Sequence, residues 1–123
     1  MDTNAYSNLL KGNNDILETI SSAEIIYMSV IVLGELQAGF KGGNSEKKNL
    51  EILKRFIEKS TVSVIHVTEE TTVIFSEIRQ KLKIRGTPIP INDIWIAAHT
   101  VETASVIITF DHHFDLVEGL RIW

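Results

Sequence analysis

The sequence predicts an α/β fold built on a mostly parallel sheet, and three observations carry the prediction. Short runs rich in β-branched residues alternate with helical patterns of ten or more residues. Helices of that length suit the right-handed crossovers that join parallel neighbours. The 123 residues, 44% hydrophobic, suit one core, because single domains typically hold about 100–200 residues. No repeat, low-complexity tract or Pro/Gly/Ser-rich linker divides the chain, so residues 1–123 read as one domain.

The elements follow in order. Ala5–Lys11 and Asn14–Ser22 read as two short helices, broken at Lys11-Gly12-Asn13. Glu24–Met28 is a short apolar run and hence a strand. Ser29 then caps a helix reaching about Phe40, ended by Gly42-Gly43. Asn44 or Ser45 caps the next helix, to about Lys59, with Leu50, Leu53 and Ile57 on its inner face. Val62–Val67 reads as a strand. Thr68 caps a long helix, Glu69–Ile84, whose acidic start and basic end complement the helix dipole. Gly86–Pro90 is a loop, since each proline turns its predecessor away from helical conformation. Asn92 caps a helix from Asp93 to about Thr103. Val106–Thr109 is a buried strand, and Arg121–Trp123 a final edge strand.

Composition excludes several classes. There is no cysteine, so there is no disulfide framework, thiol nucleophile or thiolate metal site. The N-terminal residues lack the basic and apolar regions of a signal peptide, and the longest apolar run, Ile25–Gly34, is shorter than the ~20 residues of a membrane span. A cytoplasmic protein with no membrane partner is the expectation. A net charge of −4 argues against coating nucleic acid by bulk charge, though not against gripping a phosphodiester through a metal.

Ligands of open α/β sheets bind beyond the carboxyl ends of the strands, and four acids fall there. Glu35 follows the Glu24–Met28 strand and is the only charge in Val30–Phe40. Asp111 lies two residues after the Val106–Thr109 strand. Asp93 opens a helix, where the dipole favours an ionised carboxylate. Asp2 sits at a strand-to-helix turn. Singly, Asp2 and Asp93 read as helix-start residues, Asp111 as a turn residue, and Glu35 equally well as the edge of an amphipathic helix. Together they would repel one another unless a hard divalent cation, Mg²⁺ or Mn²⁺, neutralised them. Such an ion is the working part of many nucleases and phosphatases.

Four stretches in order, Asp2-Thr3-Asn4-Ala5-Tyr6-Ser7, Ser29–Leu36, Pro90–His99 and Thr109–Phe114, closely resemble PIN-domain ribonucleases, and within them the VapC toxins of VapBC toxin–antitoxin pairs. The resemblance covers nearly the whole chain. It implies a three-layer α/β/α fold and an acidic Mg²⁺/Mn²⁺ site of Asp2, Glu35, Asp93 and Asp111. It also implies that Asn4, Asn92 and Thr109 hold those carboxylates or their waters. The implied activity is endonucleolytic RNA cleavage by metal-activated water. The implied partners are RNA, a cognate VapB-type antitoxin and a second copy of the chain. In the family a short apolar strand precedes the Asp-Thr-Asn; here only Met1 does, so the first strand is expected to be shortened and metal binding impaired.

Other chemistries lack support. Adjacent His112 and His113 diverge and make a poor chelating pair, and neither His-x-x-x-His nor His-Glu-x-x-His occurs. Neither a Gly-x-Ser-x-Gly elbow nor a glycine-rich phosphate loop is present. The cations of Arg79–Arg85 read better as a solvated helix end than as an RNA track. Two alternatives to a ribonuclease stand beside it: a catalytically silent module that sequesters antitoxin or binds RNA, and a phosphatase of small substrates using the same acids.

Overall fold

A computed structural model describes all residues from Met1 to Trp123. Six α-helices, α1 (Thr3–Leu10), α2 (Asn14–Ser22), α3 (Val30–Phe40), α4 (Glu46–Ile57), α5 (Glu69–Ile84) and α6 (Ile91–Glu102), surround strands β1 (Ile26–Ser29) and β2 (Val62–Ile65). The strands pair in parallel, Ile26 opposite Val62 and Ser29 opposite Ile65. The fold is α/β, as the alternation predicts.

The helix boundaries follow local chemistry. Asn13 caps α2 by accepting the Ile16 amide at 3.1 Å, and Ser29 caps α3 by accepting the Ile31 amide at 3.1 Å. Thr68 and Thr71 form a reciprocal capping box at the start of α5. Gly86, at φ +70°, then ends α5, with its own amide on the Lys83 carbonyl and the Thr87 amide on that of Leu82. Two caps differ from expectation. Ser45 stands at the N-cap of α4 and its carbonyl accepts the Asn49 amide, but its side chain accepts no helix amide, and α6 begins at Ile91 behind Pro90, whose carbonyl takes the Asp93 and Ile94 amides. Proline pre-sets the turn, so Asn92 lies inside the helix and its side chain is released for another contact.

The last predicted strands are also reduced. Val106–Thr109 and Arg121–Trp123 meet in a single parallel bridge, Ile107 opposite Ile122, where the Ile107 amide bonds the Arg121 carbonyl and the Trp123 amide the Ile107 carbonyl, and the pairing does not extend to further residues. Between β1 and Ile108 the backbone partners are Met1 and Asp2. The Met1 amine donates to the Tyr27 carbonyl at 3.3 Å and the Asp2 amide to the Ile108 carbonyl at 3.1 Å. A cavity of about 490 Å³ lies beside Met1, lined by Ile26, Ile96, Val106, Ile108 and Trp123 among others.

The core gathers Tyr6, Met28, Val32, Leu36, Ala97, Ile107 and Phe114. The α5–α6 contact is fixed at one end by Glu102, which accepts from the Thr71 hydroxyl at 2.7 Å, and along its length by the stacked rings of Phe75 and Trp95, 3.8 Å apart. No helix is long and apolar enough to cross a membrane.

Candidate metal centre

The four acids are positioned by two helix starts, the second turn of a third helix and a 3₁₀ turn. Asp2 caps α1 from extended backbone, its Oδ1 accepting the Ala5 amide at 2.8 Å. Its Oδ2 accepts the Thr109 hydroxyl, and the Thr109 oxygen accepts the Asp111 amide at 2.9 Å. One hydroxyl therefore ties the start of the chain to the segment after Ile107. Asp2 is only 4% exposed. Burial raises its carboxyl above the ordinary value, the bonds from Thr109 and Ala5 oppose that, and negative Asp111 adds to the rise.

Asp111 caps the 3₁₀ turn His112–Leu116, its Oδ1 accepting the His113 amide at 2.9 Å. Asp93 is the third residue of α6, with a side chain 14% exposed. The helix dipole was expected to favour its ionised form. Instead its carboxyl is raised: burial is the main cause, a hydrogen bond from His113 opposes it, and the charges of Asp111 and Glu35 push it further up. Glu35, in the second turn of α3, accepts from the Thr3 hydroxyl at 2.8 Å and, more loosely, from Asn92 Nδ2 at 3.5 Å.

Of the four acids singled out in the sequence, Asp93 and Asp111 meet directly at the His113 ring, with donor atoms within 4.8 Å of one another, while Asp2 is joined to Asp111 through Thr109 and Glu35 reaches the start of α6 through Asn92. Thr109 and Asn92 touch them as the resemblance implies. Asn4 does not: it is exposed and only its backbone carbonyl bonds, to Asn8, while neighbouring Thr3 supplies the contact to Glu35. Sequence reasoning also passed over His113. His112 and His113 do diverge, the former pairing with Asp115, but that divergence sends the His113 ring into the cluster. Its Nδ1 lies 3.1 Å from Asp93 Oδ2 and 3.1 Å from Asp111 Oδ1. The signal was the two-residue step from Asp111, which a turn folds back upon itself.

The donor set fits a divalent cation. The ion pairs of Lys and Arg all lie elsewhere, Lys41 with Glu46, Arg55 with Glu51 and Arg85 with Glu118, so no long cation neutralises the cluster. Carboxylates gathered with no Lys or Arg among them, and a single imidazole beside two of them, suit a hard, oxygen-seeking ion.

The model of the PIN domain family matches residues 1–120 of the chain. The protein named Ribonuclease VapC1 of Haemophilus influenzae (strain R2866) is 29% identical over 113 residues, 89% of this chain and 83% of its own. One named tRNA(fMet)-specific endonuclease VapC, of Salmonella typhimurium strain LT2, is 29% identical over 96 residues, 77% of this chain and 71% of its own. Among solved structures, that of VapBC-1 from nontypeable Haemophilus influenzae superposes with a TM-score of 0.88 at 28% identity, covering 99% of this chain and 93% of the matched one.

Proposed function

The chain belongs to the PIN domain family, and from that premise we propose that it is a metal-dependent endoribonuclease, the toxin of a type II toxin–antitoxin module. The observation that carries this reading is the gathering of Asp2, Glu35, Asp93 and Asp111 with no Lys or Arg among them. These four would hold Mg²⁺ or Mn²⁺. When bound, such an ion neutralises charge on a phosphoryl oxygen and makes water more acidic.

The protein's own groups hold that arrangement in place. Thr109 and the Ala5 amide orient the two oxygens of Asp2, Thr3 and Asn92 hold the two of Glu35, and the His113 amide fixes one of Asp111. Asp2 is buried while Asp93, Glu35 and Asp111 are half-buried, so the cluster opens on one side, where a nucleic-acid backbone can approach. The names of the relatives support RNA as substrate, with transfer RNA the first to try. The similarity to a VapBC complex supports a cognate VapB-type antitoxin as partner. A homodimer acting in the cytoplasm completes the reading.

The test is cleavage of a 5′-labelled transfer RNA pool by the purified protein in Mn²⁺. Discrete products are expected, lost on adding EDTA and lost in Asp93→Asn. Stable RNA binding without cleavage would instead make the chain a binding module. Turnover of a chromogenic phosphomonoester with RNA left intact would make it a phosphatase.

A further inference from the structure

We propose that His113 is a nitrogen ligand of the cation held by the acidic cluster, and that it shifts the preference of the centre from Mg²⁺ toward Mn²⁺; the inference rests on reading the cluster as a metal centre. Its Nδ1 is equidistant, at 3.1 Å, from one oxygen of Asp93 and one of Asp111, and the three donor atoms lie within 4.8 Å of one another. Adjacent ligands of an octahedral ion with bonds of about 2.1 Å stand about 3.0 Å apart. The two 3.1 Å edges match that spacing.

Hydrogen bonding by the ring itself accounts for half of this geometry. The contact with Asp93 has hydrogen-bond geometry, whereas the equally short contact with Asp111 is a charge contact only. An imidazole N–H has a single direction, so it serves one oxygen; Asp111 Oδ1 faces the ring nitrogen with no bond to it and takes its hydrogen bond from the His113 backbone amide instead. A cation between the three atoms satisfies all of them, with the Nδ1 lone pair turned inward and Nε2–H outward to solvent.

The ring is also held ready. Asp111 Oδ1 fixes the His113 backbone amide, and the next residue, Phe114, is fully buried in the core. The 3₁₀ turn is therefore pinned on both sides of the histidine. His112 makes an internal comparison: on the same turn, it is almost wholly exposed and reaches only Asp115. The chemical consequence follows from donor type. Mg²⁺ gains little from an imidazole, while Mn²⁺ and later divalent ions accept nitrogen more readily.

The experiment uses the full chain loaded with Mn²⁺ and reads nitrogen coupling to the ion by pulsed electron paramagnetic resonance, with Mn²⁺ and Mg²⁺ affinities measured by calorimetry. Wild type and His112→Gln are expected to show ¹⁴N coupling. His113→Gln is expected to lose it and to bind Mn²⁺ about tenfold more weakly, with Mg²⁺ affinity changed less than about twofold. Mn²⁺ bound by wild type without ¹⁴N coupling, or with equal affinity in His113→Gln, would overturn the assignment and leave the carboxylate centre standing. Absence of Mn²⁺ binding to wild type would overturn the metal centre itself, and this proposal with it.

Discussion

Two polar regions of the molecule solve the burial problem in opposite ways. Around His99, which is 2% exposed, every polar atom has a protein partner. The ring lies between the Ser29 hydroxyl, 2.9 Å from Nδ1, and the His66 carbonyl, 3.1 Å from Nε2. Since the carbonyl only accepts, Nε2 carries the proton, Nδ1 accepts from Ser29, and the Ser29 oxygen accepts the Ile31 amide. The network is closed and electrically neutral. In the acidic cluster the hydrogen bonds are more numerous, yet negative charge is left over. The difference separates scaffold from site: satisfied polar groups hold the fold together, whereas accumulated like charge marks where something from outside is needed.

Asp111→Asn should separate the two regions most widely. It keeps an oxygen to accept the His113 amide but removes a charge, so RNA cleavage should fall about 1,000-fold, the equivalent of about 4 kcal/mol, with no loss of thermal stability. A drop in melting temperature in proportion to the lost activity would show that Asp111 belongs to the scaffold. His99→Leu should do the reverse. It strands the Ser29 hydroxyl and the His66 carbonyl and should cost about 3 kcal/mol in denaturant unfolding, with cleavage per folded molecule retained.

A smaller effect, about 2.7 kcal/mol at a hundredfold excess over the dissociation constant, is expected from Mn²⁺ acting on the cluster. The raised carboxyls of Asp2 and Asp93 favour folding below their ordinary values, and that contribution is lost as pH rises through their folded-state values. Metal-free protein is thus penalised near neutrality, and the Mn²⁺-induced gain in melting temperature should be larger at pH 7 than at pH 5. The smallest effect belongs to His99 itself. Burial lowers its pKa below 6.5, so the unfolded chain takes up the proton first as pH falls. Stability should be full above pH 6.5 and decline below it, by at most about 1.4 kcal/mol per pH unit from this group. The wild-type minus His99→Leu difference isolates it, and a flat difference across that window would contradict the neutral ring.

What the sequence disclosed follows the range of the interactions. The start and end of α5 were legible because Thr68, Thr71 and Gly86 act within a few residues. The four acids were legible as positions after strands and at helix starts. Mutual repulsion was legible from the same positions, but the burial that is the main cause of the raised carboxyls of Asp2 and Asp93 was not, because it is set by packing in the folded chain. The Val106–Thr109 strand was overestimated for the same reason: a ladder is a property of two segments, and one apolar run cannot supply its partner. Thr3 and His113 escaped notice because their contacts, to Glu35 and Asp93, are made only in the folded chain.

The Thr109–Asp2 bond has a consequence for folding. It joins residues 107 positions apart, nearly the whole contour of the chain. Closing so long a loop is entropically the last step that contacts can reward, and long-range closure slows folding. Loss of this one bond would release Asp2 from Thr109 while leaving Asp93, Asp111 and His113 on α6 and the 3₁₀ turn. Assembly of the whole site is thereby coupled to completion of the fold, and a half-folded molecule has the acids but not the whole cluster.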